Sequence, residues 1–122
     1  MPSAETFYSS AIAHAYYTIF YSARAYLMKK GLKLPEQGQH QAVYFAFRSL
    51  VRQGKIAAEL LELYEDVKVK AEKLLEILEK EEENRTKFTY KTFAQANKEP
   101  ANDSLNNAEI FLTEMKGLIG KN

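Results

Sequence analysis

Apolar residues recur along most of the chain at alternating steps of three and four residues, which is the period of an α-helix. The first such stretch starts after Pro2, with Ser3 at the N-cap position, and ends near Lys30, just before Gly31. Its apolar positions form two adjoining stripes: Tyr8, Ile12, Ala15, Ile19, Ser22 and Tyr26, and Ala13, Tyr16, Phe20, Ala23 and Leu27. A band this wide predicts a central helix that is covered on more than one side.

Glycines divide the middle of the chain into two further helical segments. A second helix is predicted from Gln39 to Gln53, ended by Gly54, and a third from about Lys55 into the mid-80s. The second helix has the apolar face Val43, Phe47 and Leu50, and the third has the coiled-coil-like seam Leu60, Tyr64, Val67, Ala71, Leu74 and Leu78. The other faces of the third helix are rich in Glu and Lys, so we expect them to be solvated.

The pattern is interrupted after Arg85, and Pro100 follows. We predict a short helix around Lys91–Asn97, then a loop, then a last helix capped by Asp103. The face of that last helix comprises Leu105, Ala108, Leu112, Met115 and Ile119. No alternating run predicts a strand. Helices joined by short turns pack as antiparallel neighbours, so the predicted fold class is all-α. It is an antiparallel up-and-down bundle of four long helices, with room for a short fifth, in one domain spanning 1–122.

Composition excludes several classes of site. There is no cysteine, which removes disulfides, thiol nucleophiles and zinc–thiolate sites, and two histidines are too few for a histidine-rich metal site. A net charge of +1 provides no global field for nucleic acid. No apolar run approaches the roughly 20 residues that span a bilayer, and the start lacks the features of a signal peptide. We therefore expect a cytoplasmic protein with no cofactor, no metal and no membrane contact.

Two sets of residues stand out as candidates for function, in a chain without a Gly-rich phosphate loop, a serine nucleophile elbow or a helical zinc pair. The first follows one stripe of the first helix: Ser10, His14, Tyr17, Tyr21 and Arg24. Such a stripe suits a face between core and solvent, or a dimer interface, where Tyr and Arg are favoured. It also suits a ligand or RNA groove, in which His14, Tyr17, Tyr21 and Arg24 would bind through stacking and phosphate contacts.

The second set is Arg85 with Thr89 and Tyr90. Arg85 follows Leu78 by seven residues, so an extended third helix would keep it on the core-facing seam. An unpaired buried charge is costly. Arg85 is therefore expected to face a partner carboxylate, a groove or a subunit interface.

Three segments together resemble the HEPN family of small prokaryotic proteins. They are AHAYYTIFYSARAYLMKKGLK in the first helix, VRQGKIAAELLELYEDV leading to ENRTKFTY, and the closing NNAEIFLTEMKGLI. The resemblance covers nearly the whole chain and implies a helical bundle that usually dimerises. Active members are metal-independent ribonucleases, often toxins encoded beside a minimal nucleotidyltransferase antitoxin.

The resemblance also implies a site. The family motif is an Arg followed after four to six residues by a His, brought together across the dimer. There the His would act as acid and base on an RNA 2′-hydroxyl while the Arg stabilises phosphorane charge. The motif Arg corresponds to Arg85 and the motif Tyr to Tyr90, whereas the usual Asp before it is Thr89 and no histidine follows Arg85.

Three functions remain open at this point. The first is a homodimeric binding or regulatory protein with a degenerate nuclease motif, partnered by a nucleotidyltransferase-type protein. The second is a metal-independent ribonuclease that uses Arg85 and Tyr90 as catalytic residues, with His14 as a candidate substitute for the missing imidazole. The third is an RNA- or nucleotide-binding module without catalysis, which needs only the first-helix stripe and Arg85.

Overall fold

The computed structural model describes residues 4–84 and 90–121, with side chains described for 7–76 and 98–121. Its four helices are α1 (Ala4–Lys29), α2 (Gln39–Arg52), α3 (Ala58–Asn84) and α4 (Tyr90–Gly120). These described ranges contain no strand, so the predicted all-α class is confirmed. No helix within them is both long and apolar enough to cross a membrane. The proposed cap at Ser3 lies outside the described residues.

Two glycines end α1 and α2 in the same way. Gly31 has φ 89° and Gly54 has φ 76°, a left-handed conformation that glycine adopts without a Cβ clash. After α1 the backbone N–H of Leu32 donates to the carbonyl of Leu27 at 3.1 Å, and an equivalent bond follows α2. These bonds satisfy carbonyls that the last turn leaves unpaired. The predicted helix ends at Gly31 and Gly54 are therefore confirmed.

The three longest helices, α1, α3 and α4, alternate in direction along the chain. Leu74, late in α3, packs with Ala11, early in α1, so α1 and α3 are antiparallel. α4 then runs alongside α1 in the same direction, because Ala101 belongs to that same cluster and Lys29 donates to the carbonyl of Ile119 at the other end. This α1–α4 pair is the most extensive contact between helices in the described chain.

The core lies where all four helices meet, and three large rings form its centre. The ring centroids of Phe47 and Tyr64 are 5.6 Å apart, and those of Tyr64 and Phe111 are 5.8 Å apart at 89°. On α3 the predicted seam is confirmed as far as its side chains are described. Leu60, Tyr64, Val67 and Leu74 are buried and Ala71 is half-buried. The side chain of Leu78 lies outside the described set.

The face that α4 buries differs from the predicted one by about one position. Phe111, absent from the prediction, is fully buried, whereas Leu112 is only partly buried. Both side chains are apolar and adjacent, so periodicity does not choose between them, and packing of Phe111 against Phe47 of α2 and Tyr64 of α3 does. The buried set is Ala101, Ser104, Ala108, Phe111 and Met115.

The predicted break around Pro100 was wrong. Instead of a short helix, a loop and a helix capped by Asp103, α4 continues through Pro100, and Asp103 is an exposed residue within it. A proline inside a helix removes one hydrogen bond and typically costs about 3 kcal/mol. Here Ala101, just after it, is fully buried and packs with Ala11. This burial offsets the loss and keeps the segment helical.

Candidate functional site

A groove of about 510 Å³ lies between α1 and α3 and reaches the start of α2. Its walls are mainly apolar. The space between the helices arises because the residues on the facing turns, Ala13 on α1 and Ala71 on α3, are small. Among the described residues, the lining comprises Ser9, Ser10, Ala13, Tyr16, Tyr17, His40, Lys68, Ala71, Glu72, Leu74 and Leu75. The volume falls within the range typical of small-molecule sites.

One end of the groove is an aromatic wall built around His40. The imidazole stacks on Phe20 with centroids 3.9 Å apart and planes 9° apart, and on Tyr16 at 5.6 Å and 12°. Gly38, in a left-handed conformation at the N-cap of α2, precedes His40 by two residues and turns the chain toward α1. The wall thus joins residues 16 and 20 of one helix to the first turn of another.

A hydrogen bond sets the polar character of this wall. The Tyr16 hydroxyl lies 2.9 Å from Nδ1 of His40. Burial, with the charge of Glu72 and neighbouring Tyr17, raises the pKa of Tyr16, so its hydroxyl keeps its proton near neutral pH. The hydrogen bond therefore joins a neutral phenol to Nδ1 of His40.

Among the described lining residues, Lys68 and Glu72 are the only Lys, Arg, Asp or Glu side chains, and they pair with each other. Lys68 Nζ lies 2.8 Å from Glu72 Oε1 and 4.9 Å from the centroid of the Tyr44 ring. Both charged side chains are partly exposed at the rim. The interior of the groove is therefore close to neutral, and Lys68 is the lining residue able to contact an anionic group at its edge.

The outward face of α1 has an unusual composition. Every exposed residue between positions 7 and 28, all of them described, falls on one line, and none is Lys, Arg, Asp or Glu. We call this line the outer seam: Phe7, Ser10, His14, Tyr17, Tyr21, Ala25 and Met28. Tyr17 and Tyr21 stack along it at 6.0 Å and 24°.

The structure separates the predicted ligand-binding residues. Tyr17 lines the groove and also belongs to the outer seam, while His14 and Tyr21 lie on the seam outside the groove lining. Arg24 is half-buried beside the seam, where its Nε donates to Oε1 of Gln39 at 3.2 Å. His40 was missed as a site residue, since its partners are 20 and 24 residues away in sequence and only the fold brings them together.

The predicted catalytic pair falls where little is described. Arg85 lies outside the described residues, and Tyr90 is the first residue of α4, with its side chain outside the described set. Neither catalytic assignment is therefore tested by the geometry.

The positions of the two histidines are informative. His14 follows Ala13, which faces Ala71 across the groove, and thirteen helical residues separate Ala71 from Asn84. At 1.5 Å per residue that is about 20 Å. His40 lines the same groove as Lys68, which lies about 24 Å from Asn84 by the same measure. Within one subunit, both histidines are thus remote from the end of α3 that Arg85 follows.

The chain matches the model of one known protein family. The family model of the HEPN domain matches residues 3–118. The chain belongs to the HEPN family. No curated protein and no solved structure matches it. Membership indicates a nuclease or an RNA-binding regulatory role for this HEPN domain. The described residues hold no cluster of acidic, histidine or cysteine side chains suited to a metal ion.

Proposed function

We propose that this HEPN protein is a regulatory protein that binds an unpaired nucleobase in the groove between α1 and α3 and does not cleave RNA. The base would belong to single-stranded RNA or to a free nucleotide, which present the same chemistry to the groove. The observation that carries the proposal is the aromatic end of an apolar groove of about 510 Å³, where Tyr16, Tyr17 and His40 line the groove and buried Phe20 stacks on His40.

Each part of the groove has a role in this proposal. A planar base fits between apolar walls and gains from stacking on Tyr17 or the aromatic wall, a contact worth about 1–3 kcal/mol per base. With Nδ1 of His40 bonded to Tyr16, Nε2 is the ring nitrogen left to form a hydrogen bond with a base edge. Lys68 at the rim provides a cation for a phosphate. Contact with the phosphate would replace the surface ion pair that Lys68 makes with Glu72.

Binding without cleavage is favoured because acid–base chemistry needs an imidazole near the family arginine. No histidine follows Arg85 in the sequence, and His14 and His40 lie about 20 Å or more from the end of α3 in the same subunit. The second candidate function is a ribonuclease using Arg85 and Tyr90. It requires a histidine contributed by another subunit, as family members assemble their motif across a dimer.

We further propose that the protein is a cytoplasmic homodimer made of this one domain, with a nucleotidyltransferase-type protein as partner. The dimer is supported by the uncharged outer seam of α1, and the partner by the HEPN resemblance. Co-purification with the product of the neighbouring reading frame tests the partner directly.

The groove is tested with a charge placed in its lining. Leu75 lines the groove and is 60% exposed, whereas Val69, on the same helix and 47% exposed, does not line it. We expect labelled single-stranded RNA or a nucleotide to be retained uncleaved by the wild type, bound at least about tenfold more weakly by Leu75→Glu, and bound normally by Val69→Glu. Both sites are exposed enough for either variant to fold.

Two results would overturn the proposal. Absence of retention of either probe by the wild type would remove the binding function. RNA cleavage by the wild type that disappears in Arg85→Ala would instead establish the ribonuclease.

A further inference from the structure

The groove between α1 and α3 contains one carboxylate among its described lining residues, that of Glu72. This carboxylate acts on the aromatic end of the groove, since burial, and after it the charge of Glu72, raises the pKa of the Tyr16 phenol. Its partner is Lys68, whose Nζ lies 2.8 Å from Glu72 Oε1. The Glu72 side chain is 60% exposed, so a molecule in the groove can reach its carboxylate.

A carboxylate restricts the kind of base that the groove can hold. It accepts hydrogen bonds and donates none. In the proposed function Lys68 contacts the phosphate of the ligand, which leaves Glu72 without its cation. A bound base would also shield part of the carboxylate from water, and a shielded carboxylate without hydrogen-bond donors is costly. The base itself therefore has to supply the donors.

We infer that the groove selects guanine and that Glu72 recognises its Watson–Crick edge. The inference rests on the proposed binding function and names the base that the same groove takes. Guanine carries a ring N–H beside an exocyclic amino group on this edge. The two oxygens of the Glu72 carboxylate can therefore accept one hydrogen bond each, and the guanine edge leaves neither oxygen without a donor.

The other three RNA bases match a carboxylate less well. Adenine and cytosine place a ring nitrogen acceptor beside their amino group, and uracil places a carbonyl on each side of its ring N–H. Opposite any of these edges, a carboxylate gains one hydrogen bond and meets a lone pair that repels it. A site built to bond two adjacent donors rejects bases that lack one of them. The acceptor-only chemistry of Glu72 thus favours guanine.

Stacking acts in the same direction. Tyr17 lines the groove and is 48% exposed, so its ring is open to a bound base. The two fused rings of a purine cover more of an aromatic side chain than the single ring of a pyrimidine does. Tyr17 therefore favours purines over pyrimidines, and Glu72 then separates guanine from adenine.

The base preference is measured with ribonucleoside monophosphates, which differ from one another only in the base. In calorimetric titrations of the wild-type protein, we expect guanosine monophosphate to bind at least about tenfold more tightly than the adenosine, cytidine and uridine monophosphates. Inosine monophosphate lacks the amino group of guanine and should have an intermediate affinity. Equal affinities for guanosine and adenosine monophosphate would overturn the inference.

The decisive variant is Glu72→Gln, which keeps the size of the side chain and replaces one acceptor oxygen with an amino donor. The resulting amide matches xanthine, which carries a carbonyl where guanine carries its amino group and keeps the ring N–H. We expect Glu72→Gln to bind guanosine monophosphate at least about tenfold more weakly than the wild type and to prefer xanthosine monophosphate. A variant that weakens all nucleotides alike, or that still prefers guanosine monophosphate, would overturn the role of Glu72.

Glu62→Gln is the matched control. Glu62 is exposed on the same helix and lies outside the described lining of the groove, so this variant changes charge by the same amount without changing the site. It should bind guanosine monophosphate as the wild type does. A tenfold loss in Glu62→Gln as well would show that net charge, rather than the carboxylate in the groove, governs affinity, and would overturn the inference.

Retention of RNA on a filter distinguishes the two sources of the base. A short oligouridine with one central guanosine should bind at least about tenfold more tightly than the same strand without it. Tighter binding of that strand than of guanosine monophosphate identifies RNA as the ligand, the reverse identifies the free nucleotide, and either result supports the selection of guanine. Absence of binding by every probe would overturn the proposed binding function as well, whereas binding without preference for guanine overturns this inference alone.

Discussion

α1 and α3 are nearly equal in length, at 26 and 27 residues, and each buries a stripe in the same core, yet their outward faces are opposites. The outward face of α3 is covered by charges, including Glu59, Glu62 and Lys73. Two of its ion pairs join residues one turn apart, Lys68 with Glu72 and Lys70 with Asp66. The outward face of α1 from 7 to 28 carries serine, alanine, aromatic and methionine side chains instead.

This difference separates what a helix needs for folding from what it needs for contact. Both helices satisfy the core with the same three-and-four spacing, so folding does not explain the contrast. Charged side chains keep α3 in water at little energetic cost, whereas large uncharged side chains on α1 gain by being covered. The composition of the outward face therefore favours α1 over α3 as the contact surface of the proposed dimer.

The largest expected effect comes from placing a charge on the outer seam. Tyr21→Glu would bury two carboxylates in the dimer without partners, so we expect the dimer dissociation constant to rise at least about 100-fold, or about 2.7 kcal/mol. Val69→Glu, on the exposed side of α3, is the control and should leave it unchanged. Sedimentation across a concentration series measures the dissociation constants of both variants. An unchanged constant for Tyr21→Glu would mean that the outward face of α1 is no more a subunit contact than that of α3.

A smaller effect is expected at the buried tyrosine of α3. The hydroxyl of Tyr64 is buried and has no hydrogen-bond partner among the described residues. Because an unsatisfied buried polar group is destabilising, Tyr64→Phe should raise the free energy of unfolding by about 1 kcal/mol. Tyr44→Phe is the matched control. It should lower the free energy of unfolding, since the Tyr44 hydroxyl donates to Glu65 at 3.1 Å. Urea unfolding of the three proteins at neutral pH gives the comparison.

The same variant changes the response to high pH. Burial, with a smaller contribution from Tyr16, raises the pKa of Tyr64 well above the ordinary value of about 10. Above that pH the unfolded chain loses the proton while the folded chain keeps it, so stability falls as pH rises. Tyr64→Phe should lose less stability than the wild type between pH 9 and about 11. Equal losses would mean that the phenol ionises normally in the folded protein.

The smallest effect is expected from the ion pairs on the outward face of α3. Lys70 Nζ lies 2.9 Å from Asp66 Oδ2, and both side chains are partly exposed. Pairs of this kind on a helix contribute about 0.3–0.5 kcal/mol, and salt screens them. Lys70→Ala should therefore change stability by no more than that at low salt, and by less at 1 M salt. A loss above about 1 kcal/mol would show that this face is a structural contact rather than a solvated surface.

The helices and most of the core could be predicted because they depend on local signals. The register of α3 follows from apolar spacing, and the ends of α1 and α2 follow from glycines that adopt positive φ. Pro100 misled because its local preference against helix is real but was offset by burial of Ala101 against Ala11 of α1. Phe111 was missed because it competes with Leu112 for the same face, and only the neighbouring helices decide which is inside.

The sequence by itself determined the all-α class, the HEPN resemblance and the absence of charge from one line of the first helix, because each depends on residue identity and helical period alone. The tertiary structure decided where a site could form. It placed His40 on Phe20 and Tyr16, opened a groove where Ala13 faces Ala71, and set both histidines about 20 Å or more from the end of α3. These juxtapositions join residues far apart in the chain, so they depend on how helices pack rather than on any local pattern.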